Sequence, residues 1–239
     1  MDRPLCVLLI SIAYRRAAFK AVKQAIGFSD GDLGGSNPDI LQGAHPVVQF
    51  WRNPKRTEMV LVKYPHLFSP IKLGNVTFRN RIFASPTGSP MVIPPEYLKR
   101  ECTAFYERRA QGGAAVVALG DGIVHTPTGL MHPYKLRLDD PDIIPSLSNT
   151  ARAIRQHGAV ASLELSHGGK YANVANLCSK NTRTGMPPYG PDHEFTADGT
   201  EILEMPEEII ETIIKAYGDA AALGKMCGFG MVIVHGGHG

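Results

Sequence analysis

The chain has 239 residues, 44% of them hydrophobic and 20% charged, with a formal net charge of +3. That length and balance fit one large globular domain or two small ones, able to bury a core. Lysine, arginine and acids alternate along the whole length, so no basic stripe or tail points to nucleic acid or to an anionic membrane.

Cys6, Cys102, Cys178 and Cys227 lie far apart and form no CxxC pair, which argues against a zinc ribbon or a disulfide framework and for free thiols in a reducing cytoplasm. The apolar run Leu5 to Ala13 is too short to span a bilayer. It is followed by YRR, not by a small-residue cleavage site, so it reads as a plain buried or irregular segment. Residues 1–62 differ from the rest, with a short basic helix expected over Tyr14 to Ile26 and an irregular stretch in GFSDGDLGGSNPD. They are read as an N-terminal extension, partly irregular, ahead of a compact domain over 63–239.

From Leu67 onward strands and helices alternate. Strand patterns occur at Arg81 to Ser85, Ala115 to Leu119, Ala159 to Leu165 and Met231 to His235. Helical patterns fall between them, at Glu96 to Gln111, Ile143 to His157 and Glu207 to Lys225. Gly112-Gly113, Gly158 and Gly228 follow these helices as left-handed caps prefer. Alternating βα units imply a parallel sheet, in either a doubly wound fold or a (β/α)₈ barrel.

In both folds ligands sit at the C-terminal ends of the strands. Those ends read Ser85-Pro86-Thr87-Gly88, Gly120-Asp121-Gly122, Glu164-Leu165-Ser166-His167-Gly168-Gly169 and His235-Gly236-Gly237-His238-Gly239. Small residues let backbone approach a flat ligand, and a few polar groups fix its orientation. His235 and His238 can turn N–H groups towards one ligand oxygen and stabilise charge developing on it. The plainer reading is that they satisfy loop backbone, and a zinc site using His167, His235 and His238 is a further one. Glu164 lies in an apolar strand, where an acid requires a partner. That partner is either a ring N–H of a ligand or a structural cation such as Arg81. Asp121, between two glycines, reads first as a turn residue.

The motifs LFSPIKLGNVTFRNRIFASPTG, FYERRAQGGAAVVALGDG, IRQHGAVASLELSHGG and CGFGMVIVHGGHG, in that order, resemble the N-terminal half of the old yellow enzyme family of NADH:flavin oxidoreductases. The long loop and the GDG and HGGHG variants are most similar to the branch of 2,4-dienoyl-CoA reductases and bile-acid-inducible reductases. The resemblance covers Leu67 to Gly239 and implies an α/β fold, a TIM (β/α)₈ barrel cut after its fourth strand, since eight units need about 250 residues. It implies FMN as cofactor, NAD(P)H as reductant, and hydride transfer to the activated C=C bond of a small enone or enoyl substrate.

By position, Pro86, Thr87 and Gly88 match the first-strand flavin contact, Gly120 and Asp121 the second, and Glu164 a glutamine that bonds the flavin pyrimidine. His235 and His238 match the pair that binds the substrate carbonyl. Asp121 and Glu164 both depart from the family's usual residues, and glutamate offers an acceptor without glutamine's donor. No iron–sulfur cluster is expected from these thiols. As a half barrel the chain would be weakly active or inactive, with sheet edges open to self-association. The alternatives are a non-catalytic remnant or half-barrel assembly partner, and a metal-dependent barrel hydrolase.

Overall fold

A computed structural model describes residues 6–10, 63–88, 92–93, 97–172 and 185–237. The expected helix over Tyr14 to Ile26, the glycine-rich stretch after it, Cys178 and His238 lie outside the described residues.

The central feature is a parallel sheet. Its strands are β1 (Cys6–Ile10), β4 (Phe83–Thr87), β5 (Val116–Ile123), β6 (Val160–Ser166) and β7 (Met231–His235), in the order β1-β7-β6-β5-β4. Leu136–Arg137 adds a two-residue parallel strand beside the end of β5. An antiparallel hairpin, β2 (Ile71–Leu73) and β3 (Val76–Phe78), precedes β4. The sequence patterns place all four βα strands, and β7 to the residue. The Leu5 to Ala13 run, read as a plain buried or irregular segment, instead supplies β1, paired in register from Cys6↔Met231 to Ile10↔His235.

Helices α1 (Arg100–Gln111), α2 (Ile144–Arg155) and α3 (Glu207–Cys227) connect the strands. The first starts four residues later than its periodicity predicts. Tyr97 takes a left-handed φ of 45° and is fully buried, and its hydroxyl bonds the Asp140 carboxylate, so a tertiary contact overrides helix propensity there. Pro206 caps the start of α3, the acids Glu207 and Glu208 occupy its first turn, and Gly228 closes it at φ 94°.

Strand alternation divides the core in two. Val117, Leu119, Ala161, Leu163, Leu165, Val232 and Val234 face the helices and pack against Cys102, Tyr106, Leu147, Ile154, Tyr217 and Ala221. Val116, Ala118, Met231 and Ile233 face the other way, against Phe78 of the hairpin. Arg79 ties the helix ends opposite the site, donating to the carbonyls of Ala110 at 3.1 Å, Ala114 at 2.7 Å and His157 at 2.5 Å. No helix among the described residues is long and apolar enough to cross a membrane.

Candidate active site

Alternation on β6 puts Ala161, Leu163 and Leu165 on the helix side and Ser162, Glu164 and Ser166 on the inner face. On β7 the same rule sends Met231, Ile233 and His235 inward. Because Ile233 is in register with Glu164, His235 stands one diagonal step further along the neighbouring strand. The Glu164 carboxylate thereby meets His235, Oε1 to Nδ1 at 3.0 Å. This is the partner that the buried acid requires. Arg81, the cation suggested from sequence, is exposed two residues before β4 and donates to Ser69 at 3.3 Å instead.

The second oxygen of Glu164 accepts the backbone N–H of Asp121 at 3.2 Å. Asp121 holds a left-handed φ of 46° at a register shift between Leu119 and Gly122, so instead of the turn its flanking glycines suggest it forms a bulge inside β5. Its carboxylate also pairs with Lys135 Nζ. Burial lifts Glu164 to about 7, against the pull of the Lys135 ammonium. Burial likewise lowers Lys135, and the charge of Glu164 acts in the opposite direction.

Thr87 and Gly88 adjoin this network at the end of β4. The Tyr106 hydroxyl of α1 donates to the Thr87 carbonyl at 2.8 Å, pinning the strand end. A Cβ on Gly120 would sit 2.7 Å from backbone atoms of Thr87, and one on Gly88 would lie 3.8 Å from the Asp121 carboxylate. Gly120 is therefore a close-approach glycine, required by its contact with the neighbouring strand. Pro86, Thr87, Gly88, Gly120, Asp121, Glu164 and His235 thus lie at adjoining strand ends. A cleft of about 570 Å³ opens beside them, lined by Asp121, Met131, Lys135, Ser166, Tyr171, His235 and Gly237.

Sequence reasoning does not single out Lys135, Ser166 or Tyr171. Lys135 directly precedes the short Leu136–Arg137 strand, and only the pairing of that strand with β5 brings it to the site. Ser166 faces inward by strand parity, and its hydroxyl is buried without a hydrogen-bond partner.

His167 belongs to a different set of contacts. Its Nδ1 accepts the Gly169 N–H at 3.0 Å, so the proton of the neutral ring is on Nε2, which donates to Thr128 Oγ1 at 2.9 Å. The Thr128 hydroxyl then donates to His125 Nδ1 at 2.7 Å. Burial, with the neighbouring His125, pulls His167 down to about 4. The ring is thus committed to structural contacts, and His238, a member of the suggested zinc set His167, His235 and His238, lies outside the described residues. Among the described residues no group of three His, Cys, Asp or Glu side chains is placed to hold a metal.

The cleft offers a cofactor an unpartnered buried hydroxyl at Ser166 and the His235 ring, with the Glu164 carboxylate behind that ring. Residues 66–239 match the family described as NADH:flavin oxidoreductase / NADH oxidase. An NADH oxidase of Thermoanaerobacter brockii is 28% identical over 180 residues, which is 75% of this chain and 27% of that protein. An NADPH dehydrogenase of Halalkalibacterium halodurans is 30% identical over 179 residues, 72% of this chain and 48% of that one.

Among solved structures, Old Yellow Enzyme from Pichia sp. AKU4542 aligns with a TM-score of 0.63 at 23% identity, over 71% of this chain and 45% of that chain. Histamine dehydrogenase from Rhizobium sp. 4-9 aligns with a TM-score of 0.61 at 25% identity, over 73% of this chain and 26% of that one. The neighbours are old yellow enzyme TIM barrels, and the parallel α/β sheet here shares their fold. The chain spans less than half the length of each of these relatives.

Proposed function

The chain belongs to the NADH:flavin oxidoreductase / NADH oxidase family, and from that premise we propose that residues 63–239 carry the first four strands and the flavin floor of an FMN-dependent oxidoreductase of the ene-reductase type. One observation carries the reading. The strand ends holding Pro86, Thr87, Gly88, Gly120, Asp121, Glu164 and His235 come together beside one cleft.

FMN, when bound, supplies hydride chemistry, taking hydride from NAD(P)H and delivering it to an activated C=C bond. The chain's own residues bind and orient. Gly120 lets the ends of β4 and β5 close together beside the cleft, Thr87 and Ser166 offer hydroxyls, and Glu164 offers an acceptor to a ring N–H. His235 presents its imidazole to a carbonyl oxygen, and His238 is assigned beside it from the HGGHG motif. Donors of this kind withdraw charge from the carbonyl and make the β-carbon a better hydride acceptor.

The GDG and HGGHG motifs support the dienoyl-CoA and bile-acid reductase branch and an enone or enoyl substrate. The relatives' names include both NADH and NADPH, so NAD(P)H is the reductant proposed. With the relatives more than twice as long as the matched segment, weak or absent turnover by the 239 residues alone is part of the proposal. A role as half-barrel assembly partner is the second reading, and the place of β4 at the edge of the sheet among the described residues favours it.

The test is a titration of the purified chain with FMN, followed by flavin fluorescence. Saturable quenching with one site per chain is expected. A chain that melts cooperatively yet leaves FMN fluorescence unchanged would overturn the flavin reading and favour the assembly role.

A further inference from the structure

His235 uses Nδ1 to meet Glu164 Oε1 at 3.0 Å, so whatever its ring meets in the cleft, it meets through Nε2. The state of Nε2 follows from counting protons on the pair. With one proton between them, Glu164 is a carboxylate, Nδ1–H donates to it, and Nε2 carries a lone pair. With a second proton, the pair is either carboxylate with imidazolium or carboxylic acid with neutral imidazole. In both of those forms Nε2 carries a hydrogen. A single proton therefore inverts the polarity of the ring at the cleft.

We propose that Glu164 and His235 form a one-proton switch that sets whether the cleft binds a hydrogen-bond acceptor, such as a carbonyl oxygen, and that Lys135 is a positioning residue which sets its midpoint. Lys135 acts through Asp121. Its ammonium pairs with the carboxylate of Asp121, whose left-handed backbone at the β5 bulge aims its N–H at Glu164 Oε2, 3.2 Å away. Lys135 also attracts the Glu164 carboxylate directly, and burial opposes it. Among the described residues, further ionisable groups near the pair are Asp121 on β5, Tyr171 in the cleft and the buried Tyr217 of α3, whose phenol is raised by burial and by the charge of Glu164. With Glu164 lifted to about 7, the switch falls near neutral pH. Its two protons belong to the pair as a unit.

The inference needs no bound flavin, so its failure and that of the proposed function are separable. Chain labelled with ¹⁵N at histidine would be followed by long-range ¹H–¹⁵N NMR from pH 5 to 9. The expected result is an Nε2 resonance that is protonated at low pH and acquires lone-pair character through one transition. Lys135→Met should move that transition up by about one pH unit, Lys135→Arg should leave it in place, and Glu164→Gln should remove its Glu164-dependent part. 2-Cyclohexen-1-one, which does not titrate in this range, should shift the His235 resonances at pH 6 and not at pH 8.5. An unchanging Nε2 in the wild-type chain overturns the switch, as does an enone response that is equal, or absent, at both pH values. A Lys135→Met midpoint equal to wild type removes Lys135 from it.

Discussion

Glu164 and His235 face each other at 3.0 Å from neighbouring strands, one a carboxyl buried to 5% exposure and the other an imidazole at the rim of the cleft. The pairing follows from register and parity, because Ile233 aligns with Glu164 and two more residues carry β7 to an inward His235. It also places an ionisable group where water solvates it poorly, and this makes stability depend on pH.

The Glu164 carboxyl titrates at about 7 in the folded chain against a reference of 4.5. Between those values the folded state holds a proton that the unfolded state has lost. Its contribution is therefore complete below pH 4.5 and is lost as pH rises through 7. Glu164→Gln keeps the shape and an acceptor for Nδ1–H without the ionisation. We expect the stability of Glu164→Gln relative to wild type to increase from pH 4.5 to pH 8 in urea unfolding. A difference independent of pH would show that burial does not perturb Glu164.

His167 acts in the opposite direction. Burial and His125 hold it at about 4 against a reference of 6.5, so below 6.5 the unfolded chain takes up a proton that the folded chain refuses. The stability from this residue is full above pH 6.5 and is lost as pH falls towards 4. We expect His167→Gln, which keeps an acceptor and a donor, to be less stable at pH 7 by about 1–3 kcal/mol for the disrupted contacts. Its loss of stability between pH 6.5 and 4.5 should be shallower by up to one proton. Parallel slopes for the two proteins would remove His167 as the acid-sensitive group.

Much of this was legible in the residues. The four βα strands announce themselves as short β-branched runs, and the small residues after each run mark where a ligand would lie. Glu164 is conspicuous as an acid in an apolar strand, but its partner is not, because register between strands some 70 residues apart in sequence leaves no local trace. Lys135 was missed for the same reason, since it reaches the site through the pairing of Leu136 and Arg137 with β5. His167 looked like a ligand because it follows a strand end. Its commitment to Thr128 and the Gly169 N–H depends on a loop conformation that composition does not encode. Helical spacing extends ahead of Arg100, but burial of Tyr97 outweighs it and α1 starts at Arg100.

Gly120 tests the floor of the cleft. A methyl there would come within 2.7 Å of Thr87 backbone and 2.9 Å of the Gly88 nitrogen, and backbone does not yield as a flexible side chain does. We expect Gly120→Ala to push β4 from β5, lowering stability by about 1–3 kcal/mol and weakening FMN binding at least tenfold at a temperature where the variant remains folded. Unchanged FMN quenching in a folded Gly120→Ala would place the flavin away from this strand pair.

The last prediction concerns β1, which covers the edge of β7 through five residues in parallel register. In a parallel ladder alternate residues of an edge strand bond to the neighbour, so of two consecutive residues one faces β7 with both its N–H and its C=O. Leu8→Pro with Leu9→Pro therefore removes a ladder donor whichever of the two faces β7, and proline is not accommodated inside a paired strand. Loss of β1 uncovers the backbone groups of Met231 to His235, an edge that another chain can extend. We expect the double variant to show a concentration-dependent rise in mass by light scattering, with slower amide exchange at 231–235 at high protein concentration than at low. A variant that stays at the wild-type mass, with exchange at 231–235 as slow as in the wild type, would mean that β1 does not protect this edge in solution.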